Sequence, residues 1–440
     1  MGQRSLKIAS VIAVMGAIFV FQMQPVISQD LDLERGRQYQ ADAIAAYGEG
    51  DLTEARRLMV EAAFYRPGHQ GITYNLALLA AIAGDQAASI GYLSEIADMG
   101  LTTDLSNEAF AGFVGAPDFQ GIEARLSDNG KPLMVAQDVV STSVPVPLSE
   151  GIVWDEANGR YLISSVHDRA IYQMDMTGRV TPFSAEGSHG LLMGAMGMSV
   201  DQAHGLLWVA TSALEQMKGY SAAADGMAGV FAFDLTTGEV RHRYMFPSTP
   251  GRNHVFGEVL VGHADDIFLS NSTGNHLFHL RPDGMVENIY ELDNAASLQG
   301  MALSADESML VVADYTTGLH LIDLSSGESR YLPAPPGGNL MGIDGLYSYK
   351  GDLIAIQNGV TPNRVLRIKM TPRWQDITAV EVLERNHPRF SEPTLGFVRG
   401  DAFYFIANSG WQEFANPENI TDEMLSRLGP THILSITLKD

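Results

Sequence analysis

"EGIVWDEANGRYLISS", Glu150 to Ser165, recurs along this chain, and its recurrence decides the fold. Laid beneath it without a gap, "MGMSVDQAHGLLWVAT" from Met196 and "QGMALSADESMLVVAD" from Gln299 keep the same order of residue types. Each runs from a polar residue or Met, through Gly and an apolar strand, to an Asp-containing turn and a second apolar strand. "GEVLVGHADDIFLSN" from Gly257 and "DGLYSYKGDLIAIQN" from Asp344 each fit with one deletion, and "TLGFVRGDAFYFIAN" from Thr394 completes the set. The six starts lie between 42 and 61 residues apart. Repeats of that length, with four short strands each, are the signature of propeller blades. The spacing therefore predicts an all-β six-bladed β-propeller over residues 133–440. Its last unit is one strand short, and "LMVAQDVVST" (Leu133–Thr142) is a spare strand before the first. Pairing the two would close the ring and leave no open sheet edge.

Composition bounds the rest. A chain of 440 residues with 45% apolar content is globular and long enough for two domains. Residues 1–28 read as a secretory signal, with Arg4 and Lys7 before the apolar "IASVIAVMGAIFVF" and small residues near Ser28. The alternative is a membrane anchor, but this run falls short of the roughly 20 residues that span a bilayer. Cleavage would remove two basic residues and no acid, taking the net charge from −24 to −26. Such a surface repels phosphate backbones, so nucleic acid is not an expected partner, and no membrane span is expected after cleavage. With no cysteine, disulfides, thiolate nucleophiles and cysteine-ligated metals are excluded. The expected location is periplasmic or secreted.

Residues 29–130 follow a helical period. "ADAIAAYGEGDLTEARRLMVEAAFYRPG" breaks at Gly50-Asp51, and the following unit breaks again at Gly84-Asp85, 34 residues later. That period, the alanines and Tyr47 before the break and Pro67 after the second helix resemble the tetratricopeptide family, without its consensus tryptophan. The resemblance implies a small all-α tetratricopeptide-like domain that holds a protein partner in its groove. The other reading is a helical cap packed on the propeller. "SDNGKP" (Ser127–Pro132) is the expected linker.

In a propeller the first strand of every blade lines the channel, so equivalent strand starts converge. Here those positions are Glu150, Met196, Gly257, Gln299, Asp344 and Thr394. Two carboxylates and an amide oxygen facing one cavity repel unless a cation lies between them. All-oxygen ligands suit a hard divalent cation, calcium ahead of magnesium or manganese, with zinc less suited. Taken alone, Glu150 would be a loop acid and Asp344 a turn former.

Glu-Gly-x-x-Trp-Asp at 150–155 and Asp344-Gly345 before a strand resemble the gluconolactonase and regucalcin family of six-bladed propellers. The resemblance covers roughly Leu133 to Asp440. It implies one divalent metal held by Glu150, Gln299 and Asp344, and hydrolysis of a lactone or small ester with Asp344 as base. Two departures stand out: Gln299 replaces a family asparagine, and a second asparagine falls on Gly257-Glu258, which makes Glu258 a candidate substrate contact. His254 is a candidate proton carrier and His189 a candidate substrate contact, both in loops before blade starts; the bland reading is solvated loop histidines. Serine-hydrolase elbows and phosphate-binding glycine loops are absent from the sequence. The competing readings are a non-catalytic scaffold binding a periplasmic partner, with a structural ion or none, and a strictosidine-synthase-like lyase.

Overall fold

A computed structural model describes residues 32–184, 191–249, 253–262, 266–281 and 283–439. The signal expected over 1–28, and His189, lie outside the described residues. No described helix is long and apolar enough to cross a membrane.

Helices α1 (Leu33–Gly48), α2 (Leu52–Tyr65), α3 (Gln70–Ile82) and α4 (Gln86–Asp98) form two antiparallel pairs. Asp51 and Asp85 cap α2 and α4 by accepting backbone N–H bonds from Glu54 and Ala88. The glycines before them, Gly50 and Gly84, take φ of 85° and 76°, a left-handed turn that a side chain would strain. The closing segment is a 3-10 turn, Glu108–Phe113, followed by α5 (Pro117–Gly130). The expected linker is thus mostly helix: Ser127 to Gly130 finish α5, and only Lys131 and Pro132 connect the domains.

The described residues then form six four-stranded antiparallel sheets. Their innermost strands are Ser149–Asp155, Gly194–Asp201, Phe256–Val261, Leu298–Leu303, Ile343–Tyr349 and Gly396–Arg399. In the sixth, the outermost place belongs to Gln137–Ser141, which pairs with His432–Thr437. The spare N-terminal strand closes the ring as expected. Fully buried aliphatic and aromatic side chains, Ile163, Phe231, Leu269, Val311, Ile354 and Phe405 among them, fill the spaces between blades.

One irregularity recurs in the ladders. The register between first and second strands slips at Ser149/Ile152, Ala195/Met198, Phe256/Glu258, Leu298/Met301 and Ile343/Gly345. Each slip brackets the position that the sequence template places at the channel. A β-bulge re-aims the side chain it carries, so these residues leave the blade-to-blade alternation. The glycine after the bulge lets neighbouring blades approach. A Cβ on Gly197 would lie 2.8 Å from the Gly257 carbonyl oxygen, and one on Gly300 would collide with the backbone nitrogen of Leu346.

The helical domain packs on blades four and five, on the loops at the strand-start end. Thr102 N donates to Thr361 O at 2.9 Å, Asn339 Nδ2 to Gly68 O at 3.0 Å, and Val360 is buried in the helical core. Arg364, 2% exposed, donates to Gln357 Oε1 at 2.6 Å and to Met99 O at 2.9 Å. Charge-assisted bonds of this kind are worth about 1.5–3 kcal/mol each. Arg364→Met should therefore release the helices from the propeller. Expected is a separate, lower melting transition and faster protease cleavage near Lys131; an unchanged single transition would show that Arg364 does not hold the interface.

Candidate functional site: a buried carboxyl pair at the channel mouth

Glu150 and Asp344, at the bulges of blades one and five, come together at one end of the channel. Trp411 Nε1 donates to Glu150 Oε2 at 2.6 Å. Asp344 Oδ2 accepts from Asn358 Nδ2 at 2.8 Å and from Thr394 Oγ1 at 3.2 Å, which leaves Oδ1 for the channel. Thr394 also acts on Glu150, so its hydroxyl stands between the two acids. Asn358 is itself held by the Tyr315 hydroxyl, 3.0 Å from its Oδ1. Glu150 is 5% exposed, while Asp344 keeps more of its surface open to the channel.

Among the described residues, none of the groups acting on these acids is cationic. Burial, followed by the Asp344 carboxyl, pushes Glu150 up to about 8 against the opposing Trp411 N–H. Burial raises Asp344 to about 6, against the bonds from Asn358 and Thr394. Glu392, beside them, is raised by burial and then by Asp344. Without a counter-ion the pair therefore keeps about one proton at neutral pH.

Gln299 and Gly257 are neighbours. A Cβ on Gly257 would collide with Ser272 Oγ at 2.5 Å and sit 3.2 Å from Gln299 Oε1, so the hydroxyl and, behind it, the longer amide take the space beside the glycine. Gln299 Oε1 accepts from Ser272 Oγ at 3.2 Å, and its Nε2 donates to Ser297 Oγ at 3.1 Å. Glu258 does not take the channel position by a shifted register. Phe256 pairs with Asn271 as Ser149 pairs with Ser165, which aligns Gly257 with Glu150. Glu258 instead occupies the column of Gly151 and Gly345, one step deeper, and accepts from Met301 N at 3.2 Å. Burial, then Asp344, holds its carboxyl well above the usual range.

His254 packs in an aromatic nest with Phe278, Phe256 and Phe246, at centroid distances of 5.5, 5.8 and 6.2 Å. Among the described residues, one trio of His, Asp and Glu side chains has all its ligand atoms within 4.8 Å: Asp266, His279 and Glu287, in the outer part of blade three. No three of the described channel acids meet that spacing. Any cation there would need the neutral oxygens of Gln299 and Thr394 as well as the carboxylates, and that all-oxygen set fits a hard ion.

Trp411 and Glu392 lie outside the repeated columns, Glu392 two residues before Thr394. Asn358 is the last residue of the blade-five repeat, one residue beyond the strand Asp352–Gln357, and the repeat alone assigned it no role. Trp411 arrives from the insertion after blade six's second strand. There Phe414 is fully buried with Leu148, Val166, Met196 and Phe256, so the insertion folds over the mouth.

The pH sign follows from the raised values. A carboxyl whose folded-state pKa lies above its unfolded one favours folding fully below about pH 4. That contribution is lost as pH rises through about 6 for Asp344 and about 8 for Glu150. The melting temperature of EDTA-treated protein should fall from pH 4 to 8.5, and Glu150→Gln should flatten the fall above pH 6. Parallel curves for the two proteins would contradict the buried pair.

No family model and no curated protein matches this sequence. Among solved structures, a putative oxidoreductase (glucose dehydrogenase) of Thermus thermophilus is similar at 14% identity, over 69% of this chain and 99% of that one, with a TM-score of 0.46. A gluconolactonase of Xanthomonas campestris is similar at 12% identity, over 69% and 89%, with a TM-score of 0.46. A virginiamycin B lyase of Staphylococcus aureus follows at 15% identity, over 61% and 80%, with a TM-score of 0.42. Likenesses this distant say nothing of this chain's chemistry; the six-bladed propeller itself is read from its own strand ladders.

Proposed function

We propose that this protein is an exported, metal-dependent hydrolase of a lactone or small ester. The observation that carries the reading is the Glu150–Asp344 pair: two carboxyls share a water-poor site with no cationic side chain beside them among the described residues. An unpaired buried carboxylate costs several kcal/mol, and a divalent cation offsets that cost for both at once. Glu150 and Asp344 would hold it, with Gln299 and Thr394 supplying neutral oxygens; calcium suits such a set best. What a bound cation supplies there is polarisation of a carbonyl oxygen and a lowered pKa for water.

This chain's own residues do the rest. Trp411 fixes Glu150, and Asn358 with Thr394 fixes one oxygen of Asp344, so its other oxygen can take a proton from water attacking the acyl carbon. His254, packed among phenylalanines, is given no proton-transfer role in this reading. The insertion that brings Trp411 limits the substrate to a small molecule and helps exclude water. Export rests on the leader-like residues 1–28, and a periplasmic setting on the absence of cysteine.

A second reading has a specific observation in its favour. Glu150, Asp344 and Gln299 all have hydrogen-bond partners within the protein, as a site with a purely structural role would. In that case the helical domain would carry the function. An apolar recess of about 270 Å3 there, lined by Ile44, Tyr47, Leu78 and Ile82, offers a surface for a protein partner.

Metal analysis of the purified protein, beside a panel of lactones and aryl esters, separates the readings. Expected is one divalent ion per chain and activity that Glu150→Gln lowers by about a thousandfold or more. An ion with no activity in either protein supports the structural reading, and no ion binding at micromolar levels overturns the first.

A further inference from the structure

The channel has a second end. Beyond the carboxyl pair, the innermost strands of all six blades enclose a cavity of about 500 Å3, lined by residues that follow the bulges. They run from Val153 in blade one and Met198 in blade two to Met301, Leu346 and Val398 in blades four to six. At about 3.3 Å per residue, Trp154 at its rim lies roughly 13 Å along the strand from Glu150. The volume is in the range of small-molecule sites.

Glu258 stands at the inner end of this cavity. It is 8% exposed, lines the chamber and is held on one oxygen by Met301 N. It is the one carboxyl in the column that carries glycine in blades one, two, four and five. The bland role, a clasp satisfying Met301 N across two blades, needs only an acceptor, which Gln would supply. Among the described lining residues, the arginine, Arg399, is committed to Glu156 at 2.9 Å and lies over the Trp154 ring at 4.3 Å, which leaves Glu258 as the buried acid facing the chamber. The walls between carry Met, aliphatic and aromatic side chains, with Ser199, Gln202, Ser304 and Ser348 interspersed. A metal ion would find too few oxygens there; an organic cation would find an apolar sleeve ending in a carboxyl.

We infer that this chamber, opening on the face opposite the carboxyl pair, binds a small organic ammonium ion, its alkyl chain against Met198, Met301 and Leu346 and its head at Glu258. The site is separate from the proposed hydrolytic centre and needs neither a bound cation nor hydrolysis.

The probe is n-butylammonium chloride against 1-butanol, its neutral counterpart, followed by methyl NMR of methionine-labelled protein in EDTA. Expected is that n-butylammonium shifts the Met198 and Met301 methyl signals while Met196, at the other end, stays still. The alcohol and the Glu258→Gln variant should each bind about tenfold or more weakly. Ser348→Trp, at an exposed lining position, should block the mouth without disturbing the core and abolish the shifts. Equal binding of the alcohol, an unaffected Glu258→Gln variant, shifts centred on Met196, or no shift up to about 50 mM n-butylammonium would each overturn the inference.

Discussion

The side chains that meet in this channel are placed by one repeated departure from regular pairing. A strand that kept its two-residue alternation would send Glu150 and Asp344 into the apolar space between blades, where neither could find a partner. The register slip beside each of them turns the side chain toward the axis, and a glycine next along the strand lets the neighbouring blade close in behind. Site and ring closure thus depend on the same few backbone positions. The blades cannot approach without the glycines, and the acids cannot converge without the bulges.

Blade three shows what happens when that arrangement is altered. Its bulge carries Gly257 and the next residue is Glu258, the reverse of the order in blades one and five. The missing side chain at 257 leaves room for the Ser272 hydroxyl and the Gln299 amide, and the carboxyl at 258 is carried one step deeper, to the inner end of the lower chamber. The channel thus has an upper part built of oxygen donors and a lower part of mixed walls with one buried inner acid.

Much of this was legible in the sequence. Six starts in register set the blade count and the convergence of Glu150 and Asp344, and Leu133–Thr142 was recognisable as the closing strand because the sixth unit lacked one. The helical period located the first domain, although the helix-forming "LSDN" at its end read as linker, since Ser, Asp and Asn favour turns as readily as a final helical turn. What stayed hidden depended on distance. Trp411 reaches Glu150 across 261 positions, whereas Asn358, only 14 from Asp344, stood in the last column of its repeat with no role to mark it. His254 lay in a suitable loop, yet the phenylalanines that surround its ring come from three different strands, and nothing local to it announces them.

The central claim is that the Glu150–Asp344 pair holds a cation in place of a proton. It is tested most directly by titrating calcium into metal-stripped protein at pH 7, by calorimetry in two buffers of different ionisation heat. The account expects binding with release of about one proton per ion, and no proton release from Glu150→Gln. Calcium that fails to bind, or binds without displacing a proton, would contradict it.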